Sequence, residues 1–163
     1  MSDAPRPLSE AAQRVQDALR NGGFANTVIE LEVPVRTAAA AAEAVGCSAA
    51  QIVKSLVFRG ATSGRPVLVV ASGGNRVSTS RLAALVGEDV TMAPPKLVRE
   101  MTGFAIGGIP PVGHACAIDT VVDATLLAMD GLWAAAGHPN SLFRLTAEEL
   151  VRMTQGRVAE VAE

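Results

Sequence analysis

The chain has 163 residues, a formal charge of −2, 49% hydrophobic and 18% charged residues, with aromatics at only 3%. That length suits one domain able to bury a core without staples, and the composition is that of a globular rather than a disordered chain. The net charge argues against bulk nucleic-acid binding, and no apolar run reaches the ~18 residues a membrane span requires, so a cytoplasmic protein is expected.

The predicted elements follow in order. A single domain over residues 1–163 is expected, with 1–8 disordered and without the basic-then-apolar pattern of a signal peptide. Ser9 suits the N-cap of a helix to about Arg20, with Ala12, Val15, Ala18 and Leu19 as its buried stripe. Val28 to Val33 alternates, which predicts a half-exposed strand with Ile29, Leu31 and Val33 on one face. Thr37 caps an alanine-rich helix, Ala38 to Val45, closed by Gly46. Gln51 to Phe58 and Val67 to Val70, joined by a turn at Thr62-Ser63-Gly64, predict a hairpin at the centre of the sheet.

Ser78 or Thr79 opens a helix stopped by Gly87, and Pro94 and Pro95 suit the first turn of another running to about Met101. Cys116 to Val121, Leu132 to Ala136, Ser141 to Leu145 and Arg157 to Val161 read as strands. Thr146 and Glu149 have capping-box spacing, and Gly156 turns the chain after the helix they begin. Helices and hairpins alternate irregularly, so the fold class is α+β or mixed α/β around one sheet.

Three features bear on chemistry. The stretch from Gly103 to His114 packs four glycines and two adjacent prolines into twelve residues. Such a loop is either a tight connection between strands, or a rigid, side-chain-poor segment whose backbone N–H and C=O groups can stabilise a polarised carbonyl. Lys54 is the second feature. In a regular strand it shares a face with Ile52, Leu56 and Phe58, an ammonium among large apolar groups that either has a task or snorkels to water. Ser55 then points the other way. Third, seven basic residues between Lys54 and Arg99 stand against two acidic ones, a local balance of +5 that suits a few phosphates or an ordinary solvated surface.

Cys47 and Cys116 are far apart and outside any CxxC pair, and the only histidines are His114 and His138, so a disulfide, a zinc site and a thiol nucleophile lack support. No serine lies in a Gly-x-Ser-x-Gly elbow, which argues against a covalent serine hydrolase.

The runs Ile52 to Phe58, Leu68 to Gly73 and Gly107 to Gly113, in this order, resemble the family of YbaK and the prolyl-tRNA synthetase editing domain, over roughly Thr27 to Glu160. The resemblance implies a curved, mostly antiparallel, barrel-like sheet surrounded by helices, and hydrolysis of wrongly charged aminoacyl-tRNA without metal or organic cofactor. It places the family's lysine on Lys54 and its Gly-x-x-x-Pro motif on Gly107 to Pro111, with Gly108, Ile109 and Pro110 between. The lysine then holds the acceptor end, the glycine backbone positions the ester, and the terminal ribose hydroxyl assists water attack.

Lys54, Gly107 and Gly108 are therefore the expected catalytic residues. Ile109, Pro110, Pro111, Gly113 and His138 are expected to bind the aminoacyl group, and Arg76 and Ser78, with Thr79, the nucleotide phosphates. His114 can orient a water or serve the loop's structure. The expected partners are the aminoacyl-tRNA acceptor end and an aminoacyl-tRNA synthetase. A non-catalytic tRNA-binding module of the same fold and a small-molecule esterase unrelated to RNA are the competing readings.

Overall fold

A computed structural model describes residues 7–163, and the expected disorder of residues 1–6 lies outside them. Leu8, also expected to be disordered, is half-buried against the core. Helix α1 spans Glu10–Asn21 with Ser9 accepting from the Ala12 N–H, and its stripe of Ala12, Val15 and Leu19 is buried. Strand β1 (Val28–Glu30) and helix α2 (Ala38–Val45) follow; Thr37 caps α2 and Gly46 ends it at φ 75°.

Strands β2 (Ile52–Gly60) and β3 (Pro66–Ser72) form the predicted hairpin, paired at seven positions from Val53↔Ser72 to Arg59↔Pro66. Helix α3 (Thr79–Val86), strand β4 (Val90–Met92) and helix α4 (Pro95–Thr102) precede the glycine-proline loop. Strands β5 (Asp119–Asp123), β6 (Leu132–Ala135) and β7 (Ser141–Leu145), helix α5 (Ala147–Thr154) and strand β8 (Arg157–Ala159) complete the chain.

One mixed sheet runs β1-β7-β6-β2-β3-β5-β8, with β4 on β2. Four pairings are antiparallel and three, β2 with β6, β3 with β5 and β5 with β8, are parallel. The main core lies between one face of this sheet and α1, α4 and α5, around Val53, Leu68, Phe104 and Phe143.

The pairing of β2 is uneven, and that positions the site. Its β3 edge is continuous. On the other edge, β6 pairs only Ile52 and Val53, and β4 takes over only at Phe58. Residues 54–57 thus face a gap between two strands, closed at its end by the Ala93 N–H donating to the Val57 carbonyl at 3.0 Å.

Several boundaries differ from the sequence reading. The strand expected over Val28 to Val33 stops at Glu30, and its buried residue is Val28, while Ile29 and Val33 are exposed. Alternation alone does not choose the face; the pairing Val28↔Phe143 does, by turning Val28 toward the core. Beyond Glu30 the backbone follows the 138–140 loop, with the Leu31 and Val35 N–H groups donating to the Asn140 and Pro139 carbonyls.

β5 begins at Asp119 rather than Cys116, because the Ala115 and Cys116 N–H groups are taken by the Thr102 and Met101 carbonyls at the end of α4. The turn after α5 is made by Gln155 at φ 52°. Gly156 serves close packing instead, since a Cβ there would lie 2.8 Å from Val122. The last strand ends at Ala159, though Val161 remains buried beside an isolated bridge, Val77↔Ala162.

Among the described residues no helix is long and apolar enough to cross a membrane. Both cysteines are free.

Candidate active site

The gap beside β2 opens into a cavity of about 300 Å³, at the small end of ligand pockets. Lys54, Gly107, Ile109 and His138 line it, and its walls are mostly apolar, among them Ala41, Ile52, Val57 and Val98. Among the described residues no carboxylate lines it, and the charged groups are Lys54 and Arg36. The lysine and the glycine-proline loop, about fifty residues apart in sequence, thus meet at one cavity.

Lys54 is half-buried, and its Nζ donates to the Asn75 carbonyl. Asn75 is held in turn: its Nδ2 donates to Asp123 at 3.3 Å and Thr125 Oγ1 at 3.1 Å, and Asp123 is only 1% exposed. The loop carrying Asn75 is fixed by Gly73, where a Cβ would lie 2.6 Å from both Ala38 Cβ and the Ala49 carbonyl. The ammonium therefore has an anchored acceptor on the protein side and two remaining donors.

Lys54, Leu56 and Met92 also line a second depression, a groove of about 420 Å³ that includes Arg76, Ser78 and Thr79 at the start of α3. Arg76 is largely exposed, 3.8 Å from Glu163. The Ser78 hydroxyl caps the start of the helix, accepting from the Arg81 N–H at 3.2 Å, and lies 3.1 Å from the Ser80 hydroxyl.

The two glycines at the head of the loop do different things. Gly107 has φ 100° with open space where a Cβ would be, and its N–H finds no acceptor among the described residues. Gly108 has its N–H on the Ala105 carbonyl at 3.2 Å, its own carbonyl accepts from Gly137, and a Cβ would meet the His138 nitrogen at 2.8 Å. Gly108 therefore lets loops 105–113 and 137–140 touch; it does not line the cavity.

Pro110 and Pro111 are buried, and they and Gly113 lie outside the lining. His114 is also outside it. Its Nε2 donates to the Pro110 carbonyl at 2.7 Å, and burial pushes its pKa down, partly opposed by that hydrogen bond. A neutral ring with its proton on Nε2 suits a clip on the loop.

His138 faces the cavity with Nδ1 against Asn140 Oδ1, while Asn140 Nδ2 donates to the Leu31 carbonyl at 3.0 Å.

The sequence reading missed two residues. Ser55 and Ser141 both line the cavity, and the hydroxyl of each is buried without a hydrogen-bond partner. Strict alternation put Ser55 on the side away from Lys54; where β2 has no neighbour, residues of both faces reach the same space. Ser141 carried no sequence signal.

Comparison with known proteins now decides the family. The profile described as aminoacyl-tRNA editing domain matches residues 32–153. The chain belongs to the aminoacyl-tRNA editing domain family. Among its curated relatives, YwhH of Bacillus subtilis is 34% identical over 133 residues, 82% of this chain and 84% of that protein, and is named as uncharacterized. EbsC of Enterococcus faecalis, named as a candidate Cys-tRNA(Pro)/Cys-tRNA(Cys) deacylase, is 28% identical over 77% of this chain and 76% of its own.

A crystal structure described as a candidate trans-editing enzyme for prolyl-tRNA synthetase is 47% identical, with a TM-score of 0.92 over 96% of this chain and 99% of that one. The editing-domain fold, its mixed sheet and its helices are thus shared along nearly the whole chain, as the resemblance of the three motifs implied. Among the described residues no three His, Cys, Asp or Glu side chains are placed to hold a metal ion.

Proposed function

We propose that this editing-domain protein is a free-standing hydrolase that cleaves the ester between a small amino acid and the terminal ribose of a mischarged tRNA. The observation that carries this reading is the position of Lys54 on the boundary of two spaces: an apolar cavity with room for an aminoacyl group, and a groove bearing Arg76. An aminoacylated acceptor end has these two parts, and the ester lies where they join.

In this reading the aminoacyl group enters the cavity and Lys54, anchored on Asn75, directs its remaining donors to the ribose or its phosphate. The Gly107 N–H, which has no acceptor among the described residues, is then the donor for the oxyanion that develops on the carbonyl. Water adds to that carbonyl, the bond to the ribose oxygen breaks, the ribose oxygen takes a proton and the amino acid leaves as a carboxylate. The vicinal ribose hydroxyl assists the attack, as the family resemblance implies. Neither histidine is hydrogen-bonded to a serine among the described residues, which supports direct attack by water over an acyl-serine intermediate.

The apolar lining suits a small load, alanine, serine, cysteine or proline, selected by size more than by fine contacts, because one methylene is worth only ~1–3 kcal/mol in an apolar pocket. The names of two relatives support a link to tRNA(Pro) and prolyl-tRNA synthetase, which we propose as the source of the mischarged substrate.

The test is a deacylation panel of charged tRNAs with wild type and Lys54→Ala. At least one small aminoacyl-tRNA is expected to be hydrolysed well above buffer, with the variant strongly slowed. Binding without turnover across the panel would instead support a non-catalytic tRNA-binding module. Turnover of free amino acid esters that is indifferent to salt would support an esterase unrelated to RNA, because phosphate contacts make affinity fall with salt.

A further inference from the structure

Three side-chain polar atoms among the described residues are buried without a partner, and two of them, the Ser55 and Ser141 hydroxyls, line the one cavity. Native structures carry few such groups, and each calls for an explanation. The register shows that the two belong together. β2 pairs Val53 with Ala134, and β7 pairs Ala134 with Phe143. Two residues further along each strand come Ser55 and Ser141, with the Ala136 N–H on the Ser141 carbonyl at 2.9 Å between them. By the two-residue period both hydroxyls point to the face of Val53 and Phe143, the core side of the gap.

Ser141 has no exposed surface, although it is one of the residues that line the cavity. Lys54 and Arg36 are the charged groups lining the cavity, so an amine entering it meets no carboxylate. Of the other polar side chains there, Thr37 and His138 each already hold a partner, Oγ1 accepting from the Ala40 N–H and Nδ1 lying against Asn140, whereas the two serine hydroxyls hold none.

We propose that Ser55 and Ser141 are the acceptors that recognise the α-amino group of the aminoacyl ester. This rests on the deacylase reading above and adds to it a chemical requirement: the substrate must carry a free amine, bound through neutral hydrogen bonds rather than an ion pair. Every aminoacyl-tRNA brings two or three N–H donors on its α-nitrogen, and a serine hydroxyl offers two acceptor lone pairs. Buried donors left without acceptors cost more than the bonds are worth in water, so a cavity that admits the amine must supply them. An acylated nitrogen has at most one N–H and added bulk, and the site rejects it.

The experiment is a double-mutant cycle. The small aminoacyl-tRNA turned over fastest in the deacylation panel is compared with its N-acetyl form, using wild type, Ser55→Ala, Ser141→Ala and the double variant. The wild type is expected to hydrolyse the N-acetyl form on the order of 100-fold more slowly, as sites built around a substrate's hydrogen-bonding group do. Each single variant is expected to lose about 10-fold or more in kcat/KM on the free amine, the scale of leaving one buried donor without its acceptor, while hydrolysis of the N-acetyl form stays at its wild-type rate. Thermal midpoints at or above that of wild type would show the variants folded.

The proposal is overturned if wild type cuts both substrates equally, if the variants keep the wild-type rate on the free amine, or if both substrates slow by one factor. Variants that only accelerate the N-acetyl form would show that the hydroxyls merely fill space, which also overturns it. If wild type hydrolyses no charged tRNA, the ester-cleavage reading falls by itself, and the same comparison made on affinity still decides the role of the serines.

Discussion

The two edges of β2 are built from similar residues and do opposite things. Toward β3 the strand is paired at seven consecutive positions, and Leu68, Val69, Val70 and Ala71 opposite it have no exposed surface. Toward β6 and β4 the pairing is interrupted, and there the molecule keeps a half-buried ammonium, a glycine at positive φ and two hydroxyls with no partner. The continuous edge satisfies every local rule and so supplies stability. The broken edge violates several of them within one small volume, which is where a binding site is expected to spend stability.

The comparison can be broken most forcefully from the stable side. Leu68→Ala removes a fully buried side chain from the main core and is expected to cost about 2–5 kcal/mol of a total near 5–15 kcal/mol, read by denaturant unfolding, while kcat/KM per folded molecule stays at the wild-type value. Lys54→Ala should do the reverse. The loss of hydrogen bonds from a charged donor, about 1.5–3 kcal/mol, predicts a roughly 10- to 150-fold fall in deacylation with the unfolding midpoint nearly unchanged. If Lys54→Ala unfolds the protein while Leu68→Ala abolishes turnover, the division between the edges is wrong.

The glycines of the loop sharpen the same contrast within the site. Gly108→Ala would place a Cβ 2.8 Å from the His138 nitrogen and force loops 105–113 and 137–140 apart, so both stability and activity should fall. Gly107→Ala meets open space and is strained only through its φ of 100°, about 1–2 kcal/mol, so about a 30-fold fall in kcat/KM is the upper expectation. Kinetics and unfolding on the pair separate contact from conformation. Equal effects would mean that the two glycines share one role.

What the sequence made legible follows the same division. The caps at Ser9, Thr37 and Thr146 and the β2–β3 hairpin are local devices, and each could be read from a few neighbouring residues. Lys54 was legible as an anomaly, a charge in an apolar strand. Ser55 was set aside because alternation turns it away from Lys54; that the cavity reaches it on that face follows from the gap between β6 and β4, a property of long-range pairing. The face of β1 failed for the same reason, since a register with β7 more than a hundred residues away decides it. Ser141 and the Asp123–Asn75–Lys54 anchor depend on contacts across the fold, so no spacing along the chain could announce them.

The smallest expected effect concerns how the loop is clipped to the domain. Burial lowers the pKa of His114, so its neutral form is favoured in the folded protein, where Nε2 donates to the Pro110 carbonyl. A base harder to protonate when folded contributes its full stability above its unfolded value, about pH 6.5, and loses it as the pH falls from there toward the lowered folded value, because the unfolded chain takes up the proton first. Wild-type thermal stability should therefore decline between pH 7 and pH 5 more steeply than that of His114→Gln, whose amide can still donate to Pro110 but does not titrate. The two curves should run close together above pH 6.5 and separate as the pH falls, wild type losing the more, with deacylation kinetics little changed at neutral pH because the ring lies outside the cavity. Parallel curves across that range would mean that His114 is hydrated in the folded state. The loop would then be held by Gly108 and the Gly137 N–H alone.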